Sequence, residues 1–343
     1  MPVLFIALGE WRPDVSPEIF PVNAKEAAIM PQPTTGTKSG AKRFISLGAC
    51  VVDSILRVDQ VPAGDAKVMA EDGVVIGAGM AVAAACAVAA MGGEVVVWGR
   101  IGTDRIGDFF MIDLEDAGVD TRFIHRTEGA RTGLSSVIVD GQGQRLVVPY
   151  FDPRLGSDPS WLPIEQLDGV DCILADVRWP EGSMRILTEA KRRGMIRVFD
   201  GDVTTPEILR QLAPLGTHAI FSEPGFRLFS GREDILQALP ECAAAFDGCM
   251  GVTLGEHGFA WVEAGTVRTV PAPRVEVIDT LAAGDVFHGS FAVAITEGMS
   301  VADAGRFACA AAAIKCSRFG GRTGIPTRCE VEALVAATYS STT

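Results

Sequence analysis

Apolar and polar positions change period several times along the chain, and each change predicts an element. Phe44 to Val52 is almost continuously apolar, as in a strand buried on both faces. Residues 55–76 alternate loosely, as half-exposed strands do. Met80 to Met91 is alanine-rich and helical in composition, Glu94 to Trp98 is again a buried strand, and Asp108 to Ala117 is a helix stopped by Gly118. Ser136–Val139 and Arg145–Val148 flank Asp140-Gly141-Gln142-Gly143, a strong hairpin signal. After residue 160, strands and helices alternate. The strands are Cys172–Ala175, Arg197–Asp200, Ala219–Ser222 and Met250–Leu254, with helices at about 180–193, 204–212 and 232–246 between them. Arg274–Ile278 reads as a further strand, and alanine-rich helices at 284–297 and 301–317 follow. This pattern predicts an α/β fold: a doubly wound, mostly parallel sheet with helices on both faces. A small β-sheet lid is expected from segments about 55–76 and 122–150. Residues 1–41 are proline-rich and end in the linker-like run Pro31 to Gly40, so they read as a loosely ordered N-terminal extension. The domain proper is expected over 42–335, with a short C-terminal tail at 336–343.

Composition narrows the class. A chain of 343 residues with 48% hydrophobic and 21% charged residues suits a globular protein with a sizeable core. No apolar run approaches the ~18–20 residues that span a bilayer. The longest candidate, Val74 to Trp98, is broken by Gly77, Gly79, Gly92 and Gly93 and reads as a buried helix between two strands. A formal charge of −13 argues against nucleic acid or an anionic membrane as partner. An anionic substrate would have to be met by local cations and backbone N–H groups. The eight cysteines form no C-x-x-C pair and sit mostly in apolar segments, where free thiols behave as small hydrophobes. With no basic stretch at the N-terminus, this points to a reducing cytoplasmic location.

The strongest chemical signal is Asp279-Thr280-Leu281-Ala282-Ala283-Gly284-Asp285, followed by a helix. A small-residue turn opening a helix leaves N–H groups without internal partners, and with the helix dipole these favour an anion. Asp285 falls in the first turn of that helix. There a carboxylate can take the proton of an attacking hydroxyl, or it can simply cap the helix. Lys38-Ser39 resembles the end of a phosphate-binding loop but lacks the glycine spacing.

The run from Asp279 to Asp285 resembles the D-T-x-G-A-G-D signature of the ribokinase-like sugar kinases, the phosphofructokinase-B family, and the resemblance covers about residues 42–335. Three further landmarks follow the family order. They are Gly77-Ala78-Gly79 before the alanine-rich helix, Gly99-Arg100-Ile101-Gly102-Thr103-Asp104-Arg105-Ile106-Gly107, and Thr253-Leu254-Gly255-Glu256-His257-Gly258. The resemblance implies a ribokinase-like fold and an ATP-dependent sugar kinase that uses Mg²⁺. It makes Asp285 the catalytic base and Ala282, Ala283 and Gly284 the anion hole. It places Asp53, at the end of the first core strand, with Gly77 and Gly79 on the sugar, and Thr253, Gly255 and Gly258 on the nucleotide. It also implies a monovalent cation near Asp279 and pairing of two copies through the lid. The chain departs from the family pattern at three places. Ala282 replaces a glycine, which costs energy if φ is positive there. Ala83 stands where ribose kinases carry an asparagine. The family's N-x-x-E motif for Mg²⁺ falls at Ser222-Glu223-Pro224-Gly225, leaving Glu223 as the carboxylate on offer. His257 and His288 read as structural or nucleotide-adjacent.

Three stretches carry a narrower likeness: Leu174 to Trp179, Phe221 to Gly225, and Ile314 to Arg318 with Gly320 to Pro326. They resemble bacterial sulfofructose kinases, which phosphorylate 6-deoxy-6-sulfofructose at O1. Lys67 and Arg178 match two of that group's sulfonate ligands, and Pro149 stands at the third, where it offers no donor. A guanidinium plus an ammonium suits an anionic tail, but Arg178 could equally pair with Asp176, Asp200 or Asp202. A neutral ketose such as fructose is the alternative substrate, and a sugar- or nucleotide-binding protein with reduced catalysis is the alternative class. A nicotinamide dehydrogenase is set aside because no G-x-G-x-x-G follows the first strand.

Overall fold

The computed structural model describes residues 40–141 and 144–339. The expected extension lies outside the described residues up to position 39, as do Gln142 and Gly143, where a hairpin turn is expected, and the last four residues of the expected tail. The chain opens with β1 (Arg43–Leu47), β2 (Val51–Val58), β3 (Asp72–Ala78), α1 (Met80–Ala90), β4 (Glu94–Gly102) and α2 (Arg105–Asp116). It continues with β5 (Ile124–Thr127), β6 (Gly133–Asp140), β7 (Arg145–Tyr150), β8 (Cys172–Ala175), α3 (Pro180–Arg192), β9 (Ile196–Gly201) and α4 (Pro206–Leu212). It closes with β10 (His218–Ser222), α5 (Glu223–Ser230), α6 (Ile235–Ala243), β11 (Cys249–Thr253), β12 (Phe259–Glu263), β13 (Thr266–Val270), α7 (Ala283–Thr296), α8 (Val301–Cys316) and α9 (Arg328–Tyr339).

Nine strands form one sheet in the order β13-β12-β11-β10-β9-β8-β1-β4-β5. It is parallel except at β12 and β13, which pair antiparallel at one edge. One face carries α1, α2, α7 and α8, packed through Phe110, Phe287, Phe291 and Ala308. The other carries α3 to α6, packed through Trp179, Leu187, Leu209 and Phe226. This is the doubly wound α/β sheet that the alternating pattern predicts. Chain order reverses at β1, which lies between β4 and β8. The crevice beyond the carboxyl ends of β1 and β8 is therefore the switch point where such sheets bind ligands.

A separate four-stranded sheet, β3-β2-β6-β7, forms the lid. Its inner face packs Val51, Ile55, Ile76 and Val137 against Leu281 and Phe319 of the core. Three sequence expectations change here. The apolar run from Phe44 to Val52 is two strands, because the chain turns at Gly48 to Cys50 and leaves the large sheet for the lid. β5, inside the segment assigned to the lid, instead pairs with β4 in the large sheet. The stretch Arg274 to Ile278 is no strand. It alternates in polarity, but its chain end is held by N–H groups of Ile278 and Asp279 on the single carbonyl of Cys316, at 2.8 and 3.1 Å, and no ladder forms.

No helix among the described residues is long and apolar enough to cross a membrane. All eight cysteines are free thiols.

Candidate active site

The carboxyl ends of the parallel strands set out the polar residues in spatial order. Asp176 follows β8, Asp200 and Asp202 lie at the end of β9, Ser222 ends β10, and Thr253 ends β11. Each follows an apolar run that the sheet buries, so strand propensity alone delivers the side chains to one edge.

Asp176 ties the switch point together. Its Oδ2 accepts from the N–H groups of Ala49 (2.9 Å) and Ala81 (3.2 Å), and its Oδ1 accepts from that of Arg178 (2.7 Å). It thereby pins the exit of β1, the start of α1 and the end of β8 to one carboxylate. Two glycines make room for this. A Cβ on Gly48 (φ 154°) would overlap the Asp176 carboxylate, and one on Gly79 (φ 114°) would overlap the Ala49 carbonyl. Gly79 thus works through the backbone at the N-terminus of α1. Ala83, on the same helix, is buried and presents only a methyl.

The run 279–285 opens α7 as the sequence implies. Ala282 is the N-cap and sits in the left-handed region, at φ 63° and ψ 9°. The N–H of Ala283 reaches the Thr280 carbonyl at 3.3 Å. Those of Gly284 and Asp285, at the second and third helical positions, have no backbone acceptor among the described residues and remain the open donors of this helix end. Asp285 lies in that first turn. Desolvation holds its carboxyl well above the usual carboxylate range, and the like charge of Asp200 adds to this against the opposing pull of His288. Asp200 is raised in the same way, first by burial and then by Asp202 and Asp176. His288 is buried one turn after Asp285. Its Nδ1 lies 2.7 Å from the Gly284 carbonyl and 3.3 Å from Asp200 Oδ2, and its Nε2 lies 3.2 Å from the Ile220 carbonyl. Burial pushes its pKa down. His288 is therefore part of the acid cluster and a structural link from α7 to β9 and β10. Asp200, Asp202 and Asp176 were not singled out as site residues from sequence. Their common signal is an Asp directly after, or closing, a short apolar strand run.

Asp53 does not end a core strand. It is the third residue of β2, inside the lid sheet, paired in register with Ser135 of β6 and buried. Desolvation pushes its pKa up to about 6, against a hydrogen bond from Ser135 and the charge of Arg322. Gly77, on β3, donates to Asp113 Oδ2 at 2.5 Å and accepts from Arg322 Nε, so its backbone braces the lid against α2. Lys67 lies in the exposed loop joining β2 and β3 and has no hydrogen bond or ion pair among the described residues. Arg178 is already engaged: its guanidinium donates to the Val203 carbonyl (3.0 Å) and to Asp202 Oδ2 (3.1 Å). Pro149, on β7, pairs in register with Ser135 and so sits near Asp53 in the lid sheet.

Thr253 donates to the Phe221 carbonyl at 3.3 Å, joining β11 to β10. Gly255 and Gly258, at φ 55° and 94°, shape the short helical turn that follows. Glu223 is the first residue of α5, half-buried and 3.4 Å from Arg227. Among the described residues, no group of three or more His, Cys, Asp or Glu is arranged to hold a metal by itself. An Mg²⁺ ion carried on nucleotide phosphates needs only one or two protein carboxylates, and Glu223 at the β10 end fits that role.

A monovalent cation near Asp279 does not fit. Asp279 is buried, but the place beside it is taken. Lys315 Nζ lies 2.6 Å from the Asp279 carbonyl oxygen and 3.2 Å from its Oδ2.

Comparison with known proteins identifies the family and the fold. The family model described as pfkB family carbohydrate kinase matches residues 41–328. The ribokinase of Bacillus subtilis is 25% identical over 291 residues, covering 84% of this chain and 98% of that protein. The crystal structure of a ribokinase-like protein of Agrobacterium tumefaciens superposes with a TM-score of 0.85 at 42% identity, covering 87% of this chain and 98% of the other. The Arabidopsis thaliana ribokinase complexed with ribose and ATP has the same fold, with a TM-score of 0.74 at 22% identity over 86% and 99% of the two chains.

Proposed function

This chain belongs to the pfkB family of carbohydrate kinases, and from that premise we propose that it transfers the γ-phosphoryl group of ATP to O1 of a ketose, with Asp285 accepting the hydroxyl proton. Sugar phosphorylation at the expense of ATP is the activity of the family. The acceptor and the residue roles are the proposal. One observation carries the roles: a carboxyl with raised pKa lies in the first turn of α7, beside the open N–H groups of Gly284 and Asp285.

The loose transition state of phosphoryl transfer leaves the protein mainly positioning and charge to supply. Gly284 and Asp285 would meet the oxygens of the transferred group through their N–H donors, with Ala282 and Ala283 shaping the turn. Asp285, ionised, would take the proton; a carboxylate whose pKa is raised is a stronger base than an ordinary one. Asp53, with Gly77 and Gly79 framing the pocket, would hold sugar hydroxyls from the lid. Thr253, Gly255 and Gly258 would line the nucleotide side. Mg²⁺, held by ATP's own phosphates and by Glu223, would supply charge neutralisation.

The substrate's tail divides two readings. Lys67 supports an anionic tail such as the sulfonate of 6-deoxy-6-sulfofructose, since its ammonium is exposed without a partner among the described residues. The pairing of Arg178 with Asp202 favours a neutral ketose such as fructose, because a guanidinium already satisfied has less to offer a sulfonate. The lid also exposes Leu56, Val75, Leu146 and Val148, an apolar surface that pairing of two copies would cover. The test of function is initial velocity with Mg·ATP against fructose, sulfofructose, tagatose and ribose. Turnover of a ketose, with the product's phosphorus signal placing the ester at O1, is expected. Binding of sugar or ATP without turnover would leave a binding protein and refute the proposal.

A further inference from the structure

We infer that the ammonium of Lys315 is a built-in replacement for the monovalent cation expected near Asp279, so that phosphoryl transfer by this chain needs no K⁺. The inference rests on the kinase reading above and concerns a part of the site that reading leaves unused.

The geometry is that of a filled cation site. Lys315 is the penultimate residue of α8, and its side chain is fully buried. Its Nζ donates to the Asp279 carbonyl at 2.6 Å and lies 3.2 Å from Asp279 Oδ2. The rest of Asp279 is also used. Oδ2 accepts from the N–H groups of Gly320 (3.1 Å) and Gly321 (2.9 Å), and Oδ1 accepts from that of Leu281 (2.8 Å). A K⁺ ion at this place would need the same carbonyl and carboxylate oxygens. It would also stand against a buried like charge, which is costly where the dielectric is low. A second cation is close by: Arg145 of β7 donates to Thr280 Oγ1 at 3.4 Å, and its charge bears on Lys315.

The ammonium also does the work such an ion would do. Asp279 begins the loop whose end carries Asp285. Lys315 and the two glycine N–H groups fix that beginning to the C-terminus of α8, where a positive charge is favoured by the helix dipole. Lys315 touches no reacting atom, so it is a positioning residue. Burial lowers its pKa and the Asp279 carboxylate opposes that shift.

Wild-type kcat would be compared in tetramethylammonium chloride and in KCl at equal ionic strength, using whichever ketose is turned over. A ratio within about two-fold is expected, since an ion with no site shifts no equilibrium. Activation by K⁺ of about ten-fold or more would overturn the inference. The second arm is Lys315→Met, which keeps length and removes charge. In tetramethylammonium its kcat should fall by about 10²-fold with the sugar KM little changed, because the loop and not the sugar pocket is displaced. KCl or NH₄Cl should restore most of the loss. Failure of both salts to rescue a folded Lys315→Met would make Lys315 a structural prop only and refute the replacement. Thermal unfolding supplies a readout free of turnover: K⁺ should raise the melting temperature of Lys315→Met and leave the wild type unmoved. A K⁺-dependent rise in the wild type would sink the inference even if no sugar were ever phosphorylated, and the wild-type arms stand if the variant does not fold.

Discussion

Ala282→Gly tests whether the anion hole is a strained element. Ala282 sits at φ 63° and ψ 9°, one of two non-glycine residues with positive φ among the described residues. For an L-residue the left-handed conformation costs roughly 1–2 kcal/mol through crowding of Cβ against the following carbonyl. Glycine removes that cost but loses more freedom on folding, which returns about 0.4–1 kcal/mol. The net expectation is a stabilisation of about 0.5–1 kcal/mol, which for a chain of this size raises the melting temperature by roughly 1–3 °C. The loop is held by contacts that do not involve the Ala282 side chain. The N–H of Val286 donates to the Ala282 carbonyl at 2.9 Å, and Asp279 is locked by Lys315 and the Gly320–Gly321 turn. The geometry of the hole should therefore survive, and kcat should change by no more than about two-fold, with both KM values steady. Denaturant midpoints with unchanged slope, together with steady-state kinetics, measure both quantities. A variant less stable than wild type would show that the methyl contributes packing that outweighs the backbone strain. A kcat altered by about ten-fold or more would show that Ala282 sets the geometry of the reacting groups, and either result would refute the reasoning.

Asp285→Asn should lower kcat by ~10²–10⁴-fold while the ATP dissociation constant stays near wild type, measured by single-turnover kinetics and calorimetry; appreciable residual turnover would remove Asp285 from the role of base. The sugar KM should rise as pH falls through about 6, because Asp53 accepts sugar hydroxyls best when ionised and its pKa is pushed up to about 6 by burial; the ATP KM should not follow, and Asp53→Asn should flatten the profile. Arg178→Ala should raise the KM for sulfofructose steeply and that for fructose little if the guanidinium leaves Asp202 for a sulfonate, since charge-assisted contacts are worth roughly 1.5–3 kcal/mol; equal losses on both sugars would make Arg178 a counterion of the acid cluster.

What was legible in sequence follows from what is local. The loop 279–285 is readable because a small-residue turn and the helix it opens are contiguous, and the strand–helix alternation after residue 160 is a period that residues impose one after another. Two kinds of feature were not readable. Val51 and Val52 are as apolar as Phe44 and Ile45, so the hydrophobic pattern could not show that Gly48 hands the chain from one sheet to another. The need for glycine at that turn comes from Asp176, more than a hundred residues away, whose carboxylate occupies the space a side chain at Gly48 would need. Nothing in the sequence next to Lys315 marks it as buried. Its burial depends on Asp279, 36 residues earlier in the chain, and on the Gly320–Gly321 turn. Asp53 was assigned to the sugar from resemblance, but its place on the lid was hidden by the same unseen break at Gly48.

The acid cluster places chemistry and stability in opposition. Asp200 and Asp285 both have folded-state pKa values raised above their unfolded ones, with desolvation the first cause. A carboxyl of that kind binds its proton more tightly in the folded chain. Its stabilising contribution is complete at pH values below the unfolded pKa, and it is lost as pH rises through the folded value. At the pH where Asp285 is ionised and able to accept a proton, the fold therefore carries a like-charge cluster that its neighbouring cations only partly offset. Arg178, bonded to Asp202, lowers the pKa of Asp200 and is the cation that bears on this cluster from the β8 end. That gives Arg178 a role whether or not a sulfonate ever meets it. It also follows that Asp285→Asn, which removes one of the crowded charges, should be more stable than wild type at any pH where Asp285 is ionised in the folded chain, although it is nearly inactive. Loss of both activity and stability in that variant would mean that the ionised Asp285 is held by favourable contacts, and the account of a base kept poised by burial and like charge would have to be abandoned.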